Sequence, residues 1–245
     1  MPDPQGALMK LTDSPGSPDG ADAKNEPAPR VRLPRRVRER QMIDVATEIF
    51  GGLGYHGTSM DQIAVEAGIS KPMLYAYFNS KDGLYSACLR RAGADLLETV
   101  RESFRPEDSA EKHLWDGFLA FFSFIRDKRT AWQLVRLESF YENPAFREIV
   151  EDVHNDLRGV IGDLARVSSQ QTPDDPFSDD ERRTAMAHAM LGAAESLGTW
   201  WTESEAPLEP DVPCRHLMNF LWLGMQDLAE GQIWTETRVR SEVTS

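Results

Sequence analysis

Cysteine is scarce in this chain, with two residues in 245, Cys88 and Cys214. They are too few and too far apart for a CxxC pair, a zinc-ligand set or a disulfide framework, and read as small buried apolar groups. Apolar runs near eighteen residues are missing and the mean hydropathy is -0.47, so no membrane span is expected. A charged start followed by an apolar signal core is missing as well, which makes the cytoplasm the expected location. The chain has no GxSxG, HExxH, P-loop or GxGxxG pattern, and its five histidines stand apart without ligand spacing. Neither an enzyme activity nor a metal or cofactor is expected from it. Period-two strand patterning is absent too. Most conspicuous is the shortage of positive charge: 27 Lys and Arg against 40 Asp and Glu leave a net charge of -13. Taken whole, that balance opposes a nucleic-acid partner.

The balance is uneven along the chain. Residues 1–30 carry three basic and five acidic groups, residues 31–90 eight and six, and residues 91–245 sixteen and twenty-nine. The middle block is therefore slightly positive, and residues 30–40 at its edge hold Arg30, Arg32, Arg35, Arg36, Arg38 and Arg40 against the single Glu39. Seven prolines among Gly, Asp, Ala and Ser in residues 1–34 leave too little apolar surface to offset ordering, so that stretch is expected to be a disordered tail. Met42, Val45, Ala46, Ile49, Phe50 and Leu53 then recur at helical spacing, with Gly51, Gly52 and Gly54 expected to stop the helix. Further helix-period segments fall near 81–104, 109–127, 129–141, 144–169, 178–203 and 211–230, separated by proline-rich or polar breaks. The fold class this implies is all-α: a small N-terminal module over 35–80, a helical body over 81–232 and a C-terminal tail over 233–245.

The segment TSMDQIAVEAGISKPMLYAYFNSKDGLY, Thr58 to Tyr85, is the specific one. Ser59 with Gln62 three residues on forms a capping box, so a short helix should start at Met60 and bury Ile63, Ala64 and Ala67. Gly68 is a left-handed stop, Ile69 plugs the corner, and Ser70 caps a second helix whose first turn accepts Pro72. That is a helix-turn-helix. Leu74 and Phe78 face inward, leaving Lys71, Pro72, Met73, Tyr75, Ala76 and Tyr77 outward. The helix starts at Ser59, Ser70 and Ser80 favour anions, Lys81 adds a cation, and the phenols of Tyr75 and Tyr77 suit phosphate oxygens. Arg35, Arg36 and Arg38 could follow the backbone or enter the minor groove. The same corner could also belong to an ordinary helical bundle with half-buried tyrosines.

The pattern GYHGTSMDQIAVEAGISKPMLYAYFNSKDGLY, preceded by the helix at 35–53, resembles the DNA-binding domain of the tetracycline-repressor (TetR) family over about fifty residues. The resemblance implies a three-helix headpiece with a helix-turn-helix, a linking fourth helix, a helical-bundle domain for ligand binding and dimerisation, and a homodimer. It implies Lys71, Pro72, Met73 and Tyr75 toward bases, and Thr58, Ser59, Tyr75, Tyr77 and Lys81 toward phosphates. The expected partners are double-stranded operator DNA and a small apolar or aromatic effector that releases a repressor from it.

The body is less explicit. Met186, Met190, Leu191, Ala194, Leu197, Gly198 and Trp201, with Leu217, Phe220, Leu221, Gly224, Met225 and Leu228, give its last two helices wide apolar faces suited to a two-fold four-helix contact, or to the monomer core. Trp115, Phe118, Phe122, Trp132, Glu138 and Tyr141 are candidates for an effector pocket, with the aromatics equally suited to ordinary core. Two other readings stay open: a ligand-independent DNA-binding protein and a helical protein-interaction module.

Overall fold

The computed structural model describes residues 34–136, 143–168, 179–204 and 209–229, with the side chains of 167–168 and 225–229 left aside. Among the described residues there are nine helices and no strand: α1 (Arg35–Gly57), α2 (Met60–Glu66), α3 (Lys71–Phe78), α4 (Lys81–Glu102), α5 (Ala110–Asp127), α6 (Arg129–Val135), α7 (Pro144–Ser168), α8 (Asp180–Glu203) and α9 (Asp211–Ala229). The expected tails at 1–34 and 233–245 lie, but for Pro34, outside the described residues.

Local chemistry sets most of these limits. Ser59, Ser70, Ser80 and Ser109 each sit in extended conformation just before a helix and accept a backbone N–H from the third residue on. A serine cap of this kind stabilises a helix by about 1 kcal/mol. The α2–α3 corner is a Schellman turn: Gly68 donates to Val65 O and Ile69 to Ala64 O, both at 3.0 Å, with Gly68 at φ 62°. Only a residue without Cβ takes that conformation freely.

The first helix departs from expectation. Gly51 and Gly52 do not end it; Gly54 interrupts it, as expected, at a non-helical φ 73°, ψ 168°, and a short helical stretch follows to Gly57. Its buried stripe is Met42, Ala46 and Phe50, while Val45 is half-buried and Leu53 is 53% exposed. Gly51 has a packing role, because a Cβ there would meet the Thr130 backbone oxygen at 2.6 Å. This glycine lets α6 lie directly against α1.

Two apolar clusters form the interior. The first joins α4, α5, α6, α7, α8 and α9 around Leu96, Phe122, Ile125, Trp132 and Leu191. The second gathers Met42, Ala46, Phe50, Ile63, Leu74 and Phe78 from α1–α3 with Leu84, Tyr85, Cys88 and Leu89 of α4, Leu134 of α6, and Phe146, Ile149 and Val150 of α7. The division expected at 80/81 thus runs through a packed core. Helix α6 serves both clusters, sending Trp132 to one and Leu134 to the other.

The expected pairing surface needs correction. Met190, Leu191, Ala194, Gly198, Trp201 and Leu217 are buried within the chain's own interior, because α8 and α9 must cover α5. Of the expected α9 face, Phe220 (74% exposed) and Gly224 do face outward, beside Leu223, whereas on α8 the outward residues are Ala185, Ala189, Gly192, Ser196 and Trp200.

Candidate nucleic-acid interface

Helix α3 is held from below by Leu74 and Phe78, both buried, so its remaining faces are fixed in direction. Lys71, Pro72, Tyr75 and Ala76 are exposed along one side, Tyr75 at 39%. Lys71 is already engaged: its Nζ donates to Asp61 Oδ2 of α2 at 2.8 Å, and that carboxylate raises its pKa. Both groups are solvent-exposed, so the pair is a weak tether that an anion can displace. Asp61, which sequence reasoning did not single out, therefore belongs to this face; its place ten residues before Lys71 carried no helical-spacing signal.

The arginines expected in an arm are helical. Arg35, Arg36 and Arg38 occupy the first turn of α1. The Arg35 guanidinium lies 5.2 Å from the Tyr77 ring centre, and Arg38 Nη1 reaches Met73 Sδ at 3.7 Å. These contacts turn Arg35 and Arg38 toward α3, where they add positive charge beside that helix. An α-helix cannot extend into a minor groove as a free arm, and Arg30 and Arg32 lie outside the described residues. Arg36 stays exposed.

Four other expected contacts are altered by burial. Thr58 is 4% exposed and its hydroxyl donates to Gly54 O at 2.8 Å, so its side chain stabilises the kink and does not face solvent. Met73 is half-buried and packs on the headpiece core, as does Tyr77. Lys81 is half-buried with Nζ 4.3 Å from the Tyr55 ring centre, and the Tyr55 hydroxyl donates to Asp82 Oδ1. Burial first, and then this bond to Asp82, pushes the Tyr55 phenol up to about 12. Ser59, Ser70 and Ser80 remain exposed at the three helix starts. The surface can therefore offer backbone N–H groups, cations and one exposed phenol to an anionic strand.

Pocket candidates separate in space. Phe118, Phe122 and Trp132 are buried in the body cluster. Trp115 lines a surface cleft of about 580 Å³ between α5 and α9, with Ser109, Lys112, Asp116, Arg215 and Trp222. Glu138 and Tyr141 lie outside the described residues. Elsewhere in the body, His154 Nε2 pairs with Glu195 Oε1 at 2.6 Å across α7 and α8, and His113 Nε2 with Arg105 O at 2.6 Å. His188 Nδ1 bonds Thr184 O, and Arg136 lies 3.7 Å from Glu203. Among the described residues, no helix is long and apolar enough to cross a membrane.

Comparison with known proteins agrees with this geometry. Residues 42–88 match the family described as bacterial regulatory proteins, tetR family. The transcriptional activator FasR of Mycolicibacterium smegmatis is 29% identical over 195 residues, covering 79% of this chain and 85% of that protein. The crystal structure of a TetR-like transcriptional regulator from Rhodococcus sp. RHA1 is 32% identical with a TM-score of 0.64, over 80% of this chain and 99% of the other. FadR from Bacillus subtilis, solved in complex with stearoyl-CoA, shares the fold at 18% identity and a TM-score of 0.61, over 79% of this chain and 99% of the other.

Proposed function

The chain belongs to the TetR family of bacterial regulatory proteins and is a DNA-binding transcriptional regulator; on that premise we propose that it grips a pseudo-palindromic operator as a cytoplasmic homodimer and lets go when its body binds a small apolar effector. The observation that carries the DNA contact is the exposed row Lys71, Pro72, Tyr75 and Ala76 on α3, flanked by the capped starts at Ser59, Ser70 and Ser80. Residues 35–80 act as the reading headpiece and 81–232 as the responding body. Lys71 and Tyr75 read base edges, whereas Arg36, Ser59 and Lys81 hold phosphates. Arg35 and Arg38 supply charge beside them.

The outward stripe of Ala185, Ala189, Gly192, Ser196 and Trp200, with Phe220 and Leu223, supports an isologous contact between two copies. Two recognition helices would then enter successive major grooves roughly 34–36 Å apart. Acidity concentrated after residue 90 supports an approach to DNA by the headpiece alone. For the effector, the aromatic interior of the body supports an apolar ligand. The stearoyl-CoA bound by the B. subtilis neighbour makes a long acyl thioester the class to try first. Release requires that the ligand bind the non-operator state more tightly.

A second reading has its own support. The M. smegmatis relative is named an activator, so the effector could strengthen operator binding and recruit transcription. An operator selected from random DNA, followed by addition of stearoyl-CoA, tests both. Release supports repression, tightening supports activation, and equal retardation of operator and random DNA overturns specific regulation.

A further inference from the structure

The described lysines fall into two kinds. Lys71, Lys112 and Lys128 are each paired with a carboxylate, Asp61, Asp116 and Asp95 in turn. Lys81 has no carboxylate within pairing distance among the described residues; its ammonium rests on the Tyr55 ring, 4.3 Å from the centre and inside the ~6 Å reach of a cation–π contact. A ring face attracts the charge without using up its N–H groups on an oxygen, so those donors stay open to a phosphate. The ring itself is held. Phe50 stacks on it with centres 6.2 Å apart, and Tyr85 and Phe146 meet it edge-on at 5.0 and 5.4 Å. All three neighbours are buried, and the Tyr55 hydroxyl donates to Asp82 Oδ1, so the ring has core behind it and an anchor at its tip. The first turn of α4 is fixed to the end of α3: Ser80 N–H donates to Phe78 O at 2.7 Å, and that oxygen leaves no room for a Cβ at Gly83. Lys81 therefore keeps a set offset from the exposed row of α3.

We propose that Tyr55 is a positioning residue for DNA: its ring presents the Lys81 ammonium to a backbone phosphate at that offset. The proposal rests on the phosphate role given to Lys81 above and adds the residue that aims it. An exposed lysine must give up much rotamer freedom to hold one phosphate, and a lysine already lying on a ring has less to give up. The same tyrosine deals with the acidic neighbour. Asp82 stands in the first turn of α4, where a free carboxylate would repel a phosphate, and the Tyr55 hydroxyl occupies it. Ring and hydroxyl thus act in one direction.

The test is the salt dependence with which the full chain binds a duplex selected from random DNA. Lys81→Ala should flatten the slope of log affinity against log salt by about 0.9 for each headpiece, the signature of one lost phosphate contact. Made in a Tyr55→Leu background, the same substitution should flatten it by about half that amount or less, because an unaimed ammonium makes the contact only part of the time. Tyr55→Phe keeps the ring and should restore the whole step. A tyrosine that merely supported the fold would leave the Lys81 step equal in all three backgrounds, and that result overturns the positioning role alone. Lys81→Ala with an unchanged slope overturns the phosphate contact and the positioning role together. Should Tyr55→Leu fail to fold, the unaltered protein supplies the second measurement. The Lys81 ε-methylene protons, identified by their loss in Lys81→Ala, should be shifted upfield by the ring in the free chain and remain so on the duplex; their return to the ordinary lysine position on binding overturns the proposal.

Discussion

Replacing Gly51 by alanine sets two effects of similar size against each other in one helix. Alanine in a helix interior gains about 0.5–1 kcal/mol over glycine. Against that, the new methyl would lie 2.6 Å from Thr130 O, 2.7 Å from Thr130 Cα and 2.7 Å from its Cβ. Ordinary contact begins near 3.4 Å, so the backbone of α6 must retreat by about 0.8 Å, the difference between 3.4 and 2.6. Most of these atoms are backbone and cannot swing aside as a side-chain tip would. Overpacking of this kind costs about 1–3 kcal/mol, which outweighs the helix gain. Gly52 provides the control, since a Cβ there meets nothing within 4 Å. Gly52→Ala should therefore stabilise by up to about 1 kcal/mol, and Gly51→Ala should fall below it by about 1–3 kcal/mol. Thermal unfolding of the two variants side by side reads the difference, at roughly 2–4 °C per kcal/mol for a chain of this size. Operator affinity should also weaken in Gly51→Ala alone, because α6 buttresses the headpiece. A Gly51→Ala protein as stable as Gly52→Ala would refute the direct α1–α6 packing.

Two further outcomes are expected. Asp61→Asn frees Lys71 and removes a negative charge from beside the exposed row of α3, so on the proposed reading operator affinity measured by fluorescence anisotropy should rise, most at low salt; unchanged or weaker binding would contradict the tether. Tyr55 is raised from 10.0 to about 12, so its folded state favours the neutral phenol: the stability this confers is full below pH 10 and is lost as pH climbs to about 12. Tyr55→Phe should flatten the fall in melting temperature over that window, and an unaltered slope would sink the assignment.

What was legible in the sequence was what neighbours along the chain decide. Ser59, Ser70, Gly68 and Ile69 each bond a partner within five residues along the chain, and the helix-turn-helix follows from them. The family resemblance rested on the same residues. Side-chain allegiance across the fold was not legible. Thr58 looks like a phosphate ligand until the kink at Gly54 gives its hydroxyl a nearer acceptor. Arg35 and Arg38 look like a free arm until α1 begins at Arg35 and sets them against Tyr77 and Met73. The apolar face of α8 has helical period whichever partner it meets, so periodicity could not tell that Met190, Leu191 and Ala194 cover α5 instead of a second copy. Gly51 read as a stop because glycine signals both helix ends and close approach, and only the position of Thr130 separates the two.

The shared core of the headpiece bears on how such regulators can be recombined. Leu84, Tyr85, Cys88 and Leu89 of α4 close it together with Leu134 of α6 and Phe146, Ile149 and Val150 of α7. A graft of residues 35–80 onto the body of another regulator would carry only part of that interior and demand a matching surface from its new host. Exchange of DNA specificity between relatives is then best attempted on the outer face of α3, at Lys71, Tyr75 and Ala76, where side chains can change without any interior partner changing with them.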